Sequence, residues 1–122
     1  MLKAGTAGRR RSLRFRRALS AEEVRDAVER FLKQLDARLQ ERDPAWVGHC
    51  KLLISSGPQT AYASITAAGD PARWAGQLSQ LETAEITIYV ALYGWTDGDV
   101  AVAVDRLLAS HPVLPEAPPV PR

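Results

Sequence analysis

Apolar and polar residues alternate along four segments of the chain, and a period of two is typical of half-buried β-strands. The segments cover residues 12–19, 46–55, 61–67 and 85–95. Between them, apolar residues recur every three or four positions after Ser20 with Glu23 and after Asp70 with Pro71, two patterns that begin helices. A third helix is predicted after Thr96 or Asp97 and ends before Pro112.

The resulting order of elements is β-α-β-β-α-β-α, which predicts an α+β protein. Two βαβ units around a central hairpin indicate a ferredoxin-like βαββαβ sandwich, a four-stranded antiparallel sheet with two helices on one face, plus a C-terminal helix. We expect this domain over residues 12–111. Residues 1–11, rich in Gly, Ala and Arg, are predicted to be a disordered basic arm. Residues 112–122 are rich in proline and are predicted to be an extended tail.

Charge is distributed unevenly along a chain whose net charge is +2. Residues 1–19 contain seven basic side chains and no acidic one, so the rest of the chain is net acidic. A basic arm of this kind attracts nucleic acid, or it folds back onto the acidic body. The arginines that would contact nucleic acid are Arg9, Arg10, Arg11, Arg14, Arg16 and Arg17.

The sequence lacks residues that several classes of function require. A single cysteine, Cys50, excludes an intramolecular disulfide and a cysteine-based metal cage. His49 and Cys50 are neighbours on a strand and point to opposite faces, so they cannot share a metal. No phosphate-binding glycine motif and no apolar run of the ~18 residues that span a bilayer occurs. We predict a cytoplasmic protein that is not an enzyme and has no catalytic residues, metal, cofactor or membrane contact.

The polar sides of the strands should form a sheet face that the helices leave open, and any function is expected there. The candidate binding residues on this face are Arg14, Arg16, His49, Lys51, Tyr62, Tyr89, Tyr93 and Trp95. Basic and aromatic side chains on an open sheet are typical of RNA-recognition domains. Those domains carry the rings on central strands, whereas the last strand of a ferredoxin-like sheet is an edge strand.

A broad aromatic face of this kind more often packs against a second copy or another protein. The leading hypothesis is therefore a non-catalytic interaction or accessory module, acting as a homodimer or with a protein partner through the open face. Nucleic-acid binding through the arginines and this face is one alternative. A small-molecule-binding domain or an enzyme is another.

Two segments, Gly48-His49-Cys50-Lys51-Leu52-Leu53 and Ile86 to Gly94, resemble the C-terminal region of CobW-type P-loop GTPases. That region has a Gly-His-x-Lys strand and a later strand that turns into a terminal helix. The resemblance implies a ferredoxin-like accessory domain from a family linked to metal or cofactor delivery. The GTPase half and the family's cysteine-containing metal motif do not occur in this sequence, so it implies neither GTP hydrolysis nor metal binding. At most His49 and Lys51 would keep a role.

Overall fold

The computed structural model describes residues 3–114 as five strands and two helices. The strands are β1 (Ala4–Leu19), β2 (Val47–Ser56), β3 (Gln59–Ala67), β4 (Arg73–Gln77) and β5 (Leu81–Tyr93), and the helices are α1 (Ala21–Arg42) and α2 (Asp97–Ser110). The strands form one antiparallel sheet in the order β1-β5-β2-β3-β4. The predicted α+β class is confirmed. Among the described residues, no helix is long and apolar enough to cross a membrane.

The sheet has five strands instead of the predicted four, because the segment expected to form the second helix is β4. Gly76 lies in this segment with a φ of +85°, which a right-handed helix does not accommodate. Asp70 caps no helix, and its carboxylate accepts a hydrogen bond from the Thr66 hydroxyl at 3.2 Å. Without this helix there is no second βαβ unit, so a ferredoxin-like arrangement is not confirmed.

The basic arm is also ordered where the structure describes it, so the prediction of disorder over residues 1–11 is wrong from Ala4 onward. The first part of β1 pairs with β5 in an unbroken register that runs from Ala4 opposite Tyr93 to Arg14 opposite Thr83. On its other side β5 pairs with β2, so β5 is an interior strand. Both edges of an interior strand need backbone partners, and β1 provides them along one edge.

Both helices pack on the same face of the sheet and form one hydrophobic core with it. The predicted apolar stripes of the helices are buried, and every second residue of β2 and β5 points into the same core. The fully or nearly fully buried strand residues include Cys50, Leu52, Ile54, Ile86, Ile88 and Val90. Each buried aliphatic side chain of this kind stabilises the fold by about 1.5–3 kcal/mol.

The beginning of the predicted tail also belongs to the core. Val113 and Leu114 are 8% and 1% exposed and pack with the side chains of the α2 region. The predicted extended tail therefore does not begin at residue 112, and residues 115–122 lie outside the described residues.

The capping box at the start of α1 is confirmed. The Glu23 amide donates to the Ser20 hydroxyl at 3.1 Å, and the Ser20 amide donates to the Glu23 carboxylate at 3.3 Å. Arg17, near the end of β1, donates to the same carboxylate at 2.7 Å. The Arg17 hydrogen bond and then the Ser20 amide hold the pKa of Glu23 down at about 2. This cluster fixes the turn from β1 into α1.

A buried carboxylate, Asp36 on α1, joins three parts of the chain. It is 8% exposed and accepts hydrogen bonds from the Trp46 indole at 2.9 Å, the Gly69 amide at 3.0 Å and the Gln40 side chain at 2.9 Å. Trp46 precedes β2 and Gly69 lies between β3 and β4. Asp36 therefore fixes the ends of two strands against α1.

Replacing Asp36 should destabilise the fold more than replacing an exposed aspartate of the same helix. Asp36→Ala leaves the Trp46 indole and the Gly69 amide without their acceptor, and we expect the free energy of unfolding to fall by about 2–4 kcal/mol. Asp26→Ala, at an exposed position of α1, should change it by less than about 0.5 kcal/mol. Urea unfolding followed by circular dichroism measures both values, and equal values for the two variants would contradict the role of Asp36.

Candidate binding surface on the open sheet face

The sheet face opposite the two helices is called the open face below. Side chains that pair across antiparallel strands share a face, so the register assigns the residues of this face strand by strand. On β5 they are Thr83, Glu85, Thr87, Tyr89, Ala91 and Tyr93. On β1 they are Ala4, Thr6, Gly8, Arg10, Ser12 and Arg14.

The register also orders the open face into rows that cross the sheet. One row runs over all five strands and contains Gly8, Tyr89, Lys51, Ser64 and Arg73. The next row contains Arg10, Thr87, Leu53, Tyr62 and Ala75. On the other side of the first row lie Thr6, Ala91 and His49, followed by Ala4 and Tyr93.

Most of the predicted site residues lie on this face. They are Arg14, His49, Lys51, Tyr62, Tyr89 and Tyr93. Arg16 is exposed but follows the last regular pair of β1, in the stretch where the register shifts before Leu19. The register therefore assigns Arg16 to neither face.

Trp95 does not lie on the open face, and the sequence prediction for it is wrong. Its side chain is 9% exposed and belongs to the core. Gly94, with a φ of +84°, ends the strand and breaks the alternation that placed Trp95 beside Tyr93. The Arg42 guanidinium lies 4.7 Å from the centre of the indole ring and also contacts Asp99 at 2.8 Å. Trp95 therefore helps to hold the end of α1 against the start of α2.

Two exposed aromatic side chains of β5 on the open face, Tyr89 and Tyr93, form what we call the tyrosine patch. They are 45% and 46% exposed. Beside them on β1 runs a strip of small residues, with Ala4 opposite Tyr93 and Gly8 opposite Tyr89. Because these neighbours are small, nothing on β1 covers either ring.

Basic side chains occupy the middle and the far end of the open face. The Lys51 ammonium lies 4.0 Å from the centre of the Tyr62 ring, and Arg10 contacts Glu85 at 3.2 Å. Within residues 3–114, Arg14 and Arg73 have no carboxylate within salt-bridge distance. The open face is therefore net positive.

Sequence reasoning missed two basic residues of this face for identifiable reasons. Arg10 was assigned to a disordered arm, and Arg73 to a helix that does not form. Residues 9–11 are three consecutive arginines, so no alternation of apolar and polar residues marks this part of β1 as a strand, and its pairing with β5 defines it. For Arg73, the glycine at position 76 is the local signal against a helix.

His49 and Cys50 lie on opposite faces of the sheet, as expected from their adjacency. His49 is exposed on the open face, whereas Cys50 is buried in the core. Burial, with a smaller contribution from the charge of Asp36, raises the pKa of the Cys50 thiol to about 12. Among residues 3–114, no group of three or more His, Cys, Asp and Glu side chains is placed to hold a metal ion.

A cleft of about 470 Å³ lies between α1 and the loop that joins β3 to β4. Its carboxylates are used within the chain, since Asp36 accepts three hydrogen bonds and Asp70 accepts one from Thr66. Glu29 accepts a hydrogen bond from the Trp74 indole at 2.8 Å, which anchors β4 to α1. These groups serve the fold, so the open face is the stronger candidate for function.

No family model, curated protein or solved structure matches this chain. The resemblance to the C-terminal region of CobW-type GTPases therefore stays a prediction, and the functional argument rests on the geometry of the open face.

The Cys50 thiol should be unreactive in the folded protein. With its pKa at about 12, only about one molecule in ten thousand carries the thiolate at pH 8, and the core blocks access to it. We expect the reaction with Ellman's reagent to be more than about 100-fold slower in buffer than in urea. The double variant His49→Cys/Cys50→Ala, with its thiol on the open face, should react rapidly without urea. Equal rates for the two thiols would contradict the assignment of faces.

Proposed function

We propose that this chain is a non-catalytic interaction module that associates with a second copy of itself through the open face. The observation that carries the proposal is the tyrosine patch beside its strip of small residues. Tyrosine supplies large contact areas with few rotatable bonds and is enriched at the centres of protein interfaces. Both helices pack on the other face, so the rings stay accessible to a partner.

The small residues of the strip leave room for the rings of a second copy. A two-fold axis through a face-to-face pair brings the same surface of both copies together. Tyr89 and Tyr93 of one copy can then pack over Gly8 and Ala4 of the other, and the reverse contact follows by symmetry.

The charges of the open face favour a contact centred at the end that holds the tyrosine patch. The rows of Tyr93 and Ala91 contain no acidic or permanently cationic residue. The row of Tyr89 contains Lys51, whose ammonium lies over the Tyr62 ring of β3, on the side away from β1. Arg10, Glu85 and Arg14 lie further along the strands, where they stay in solvent when the tyrosine ends meet. Burying those ions would cost more than their pairing returns.

Light scattering over a concentration series tests this association. We expect the wild-type chain to form dimers at tens of micromolar, and Tyr89→Ser/Tyr93→Ser to raise the dimer dissociation constant by more than about tenfold. Val102→Ser is the matched control, because Val102 is a 47% exposed apolar residue on α2, away from the open face. It should leave the constant within about twofold of wild type.

A wild-type chain that stays monomeric at about 200 µM would contradict the proposal, since a specific interface with four tyrosines should be populated there. A Val102→Ser effect as large as that of the tyrosine variant would also contradict it, because the interface would then include α2.

One observation favours nucleic-acid binding as a second candidate. β5 is an interior strand and not the edge strand that we expected, so Tyr89 and Tyr62 lie on interior strands on either side of Lys51. Rings that stack on bases, next to a cation that holds phosphate, are the elements of single-strand recognition. This candidate requires that an oligouridine dodecamer binds with an affinity that falls steeply with salt, and that Tyr62→Ala and Lys51→Ala weaken binding.

A further inference from the structure

The backbone of β1 shows which of its groups point away from the sheet. The Thr6 amide donates to the Asp97 carboxylate at 2.8 Å, so this N–H does not point toward β5. In an antiparallel strand the N–H and C=O of one residue point to the same side, and the side alternates from residue to residue. The register of β1 is unbroken from Ala4 to Arg14. Hence Gly8, Arg10, Ser12 and Arg14 direct both backbone groups outward.

Within residues 3–114, β1 pairs with β5 alone, and no backbone–backbone hydrogen bond joins its outer side between residues 8 and 14. The Gly8 carbonyl accepts a hydrogen bond from the Arg9 guanidinium at 2.7 Å. Asp97 closes the edge at Thr6. The opposite edge of the sheet differs, since β4 has only five residues and contains Gly76 with a positive φ. Short and irregular edge strands resist pairing, whereas a long regular one is a template for it.

The charge of β1 restricts which strand can pair with this edge. β1 contains six arginines and no acidic residue. Arg9 and Arg17 contact Asp105 and Glu23 at 2.7 Å, and Arg10 contacts Glu85 at 3.2 Å. Among the described residues, Arg11, Arg14 and Arg16 have no carboxylate within salt-bridge distance. A strand added next to β1 would therefore have arginine side chains near it on both faces of the sheet.

We propose that the outer edge of β1, residues 8–14, binds an extended acidic segment of a partner protein as a sixth strand of the sheet. The outward N–H and C=O groups of Arg10, Ser12 and Arg14, together with the N–H of Gly8, hold its backbone, as in other complexes formed by strand addition. Carboxylates at alternate positions of the segment meet Arg14 on the open face and compete with Glu85 for Arg10, which Glu85 contacts at 3.2 Å. Charge-assisted hydrogen bonds of this type are strong. The edge is thus a second interaction surface, separate from the tyrosine patch.

A second copy of the chain is disfavoured at this edge, because β1 offers six arginines and no acidic residue to pair with them. Antiparallel self-pairing centred on Ser12 places Arg10 of each copy opposite Arg14 of the other. Like charges directly opposite each other on paired strands are destabilising. The same arginines that attract an acidic strand therefore oppose self-pairing.

The test uses the full chain and a peptide with three glutamates at alternate positions, acetyl-Thr-Glu-Val-Glu-Val-Glu-Thr-amide. Calorimetry at low salt should detect binding, and the same peptide with glutamine at the three positions should bind at least about tenfold more weakly. Ser12→Pro removes an outward N–H without removing a bond to β5, and it should weaken binding of the glutamate peptide by about tenfold or more. Ser12→Ala keeps the N–H and should bind within about twofold of wild type.

Circular dichroism and thermal melting verify that Ser12→Pro is folded, and amide hydrogen exchange gives a readout that needs no peptide. In the free wild-type chain the amides of Gly8, Arg10, Ser12 and Arg14 should exchange much faster than those of Ala7, Arg9, Arg11 and Leu13. The glutamate peptide should slow the first set. Equal protection of the two sets in the free chain would overturn the proposal, because the edge would already be covered.

The absence of peptide binding at about 2 mM, or equal binding by Ser12→Pro and Ser12→Ala, would also overturn it. So would an oligouridine dodecamer that displaces the peptide and binds Ser12→Pro as well as wild type, because the arginines would then act through charge alone. Tyr89→Ser/Tyr93→Ser should leave peptide binding unchanged. Its effect on self-association therefore separates a failure of this proposal from a failure of the proposed function.

Discussion

Strand β5 determines the rest of the structure because it is bonded along both of its edges and because its side chains alternate between the two faces from Thr83 to Tyr93. Its helix-facing residues, Ile86, Ile88 and Val90 among them, form the middle of the core. Both helices must cover this apolar side, since leaving it in water would forfeit the main favourable contribution to folding. Two helices on one face leave none for the other. The open face with Tyr89 and Tyr93 follows from how the core is built.

Polar and aromatic contacts outside that core fix the position of the sheet relative to the two helices. Asp36 holds the start of β2 and the loop after β3 against α1. The Arg42–Trp95 and Arg42–Asp99 contacts join the end of α1 to the start of α2. A rigid scaffold reduces the entropy that a binding surface loses when it meets a partner. The rows of side chains on the open face are therefore in place before binding.

Local signals in the sequence were sufficient to predict an element where that element is stabilised by contacts between residues close together in the chain. The Ser20–Glu23 capping box and the apolar stripe after it located α1, and the turn around Gly57 located the β2–β3 hairpin. These signals did not predict the conformation of segments that become strands only by pairing with a strand far away in the sequence. Residues 4–11 look like a disordered arm until β5 supplies their backbone partners, and Asp70-Pro71 looks like a helix start until β3 pairs with β4.

In the candidate site too, local patterns predicted some features correctly, and features that depend on distant pairings were missed. Period-two alternation correctly placed His49, Lys51, Tyr62, Tyr89 and Tyr93 on one face. It failed at Trp95, because Gly94 ends the alternation one residue earlier. It also could not show that β5 is interior, since strand order depends on pairings between residues far apart in sequence. That order brings Tyr89 beside Lys51 and gives the open face its mixed aromatic and basic character.

Solvent paramagnetic relaxation enhancement tests the central claim, that one face of the sheet is covered by helices and the other is left open. A soluble gadolinium chelate is added to the dilute wild-type chain, and broadening of the side-chain proton signals is measured by nuclear magnetic resonance. The account predicts strong broadening of the Tyr89 and Tyr93 rings, and little effect on the Trp46 and Trp95 indoles or the Ile88 methyl groups. Tyr89 and Tyr93 signals that stay as protected as those of Trp46 after dilution below the dimer dissociation constant would contradict it, because the open face would then be part of the core.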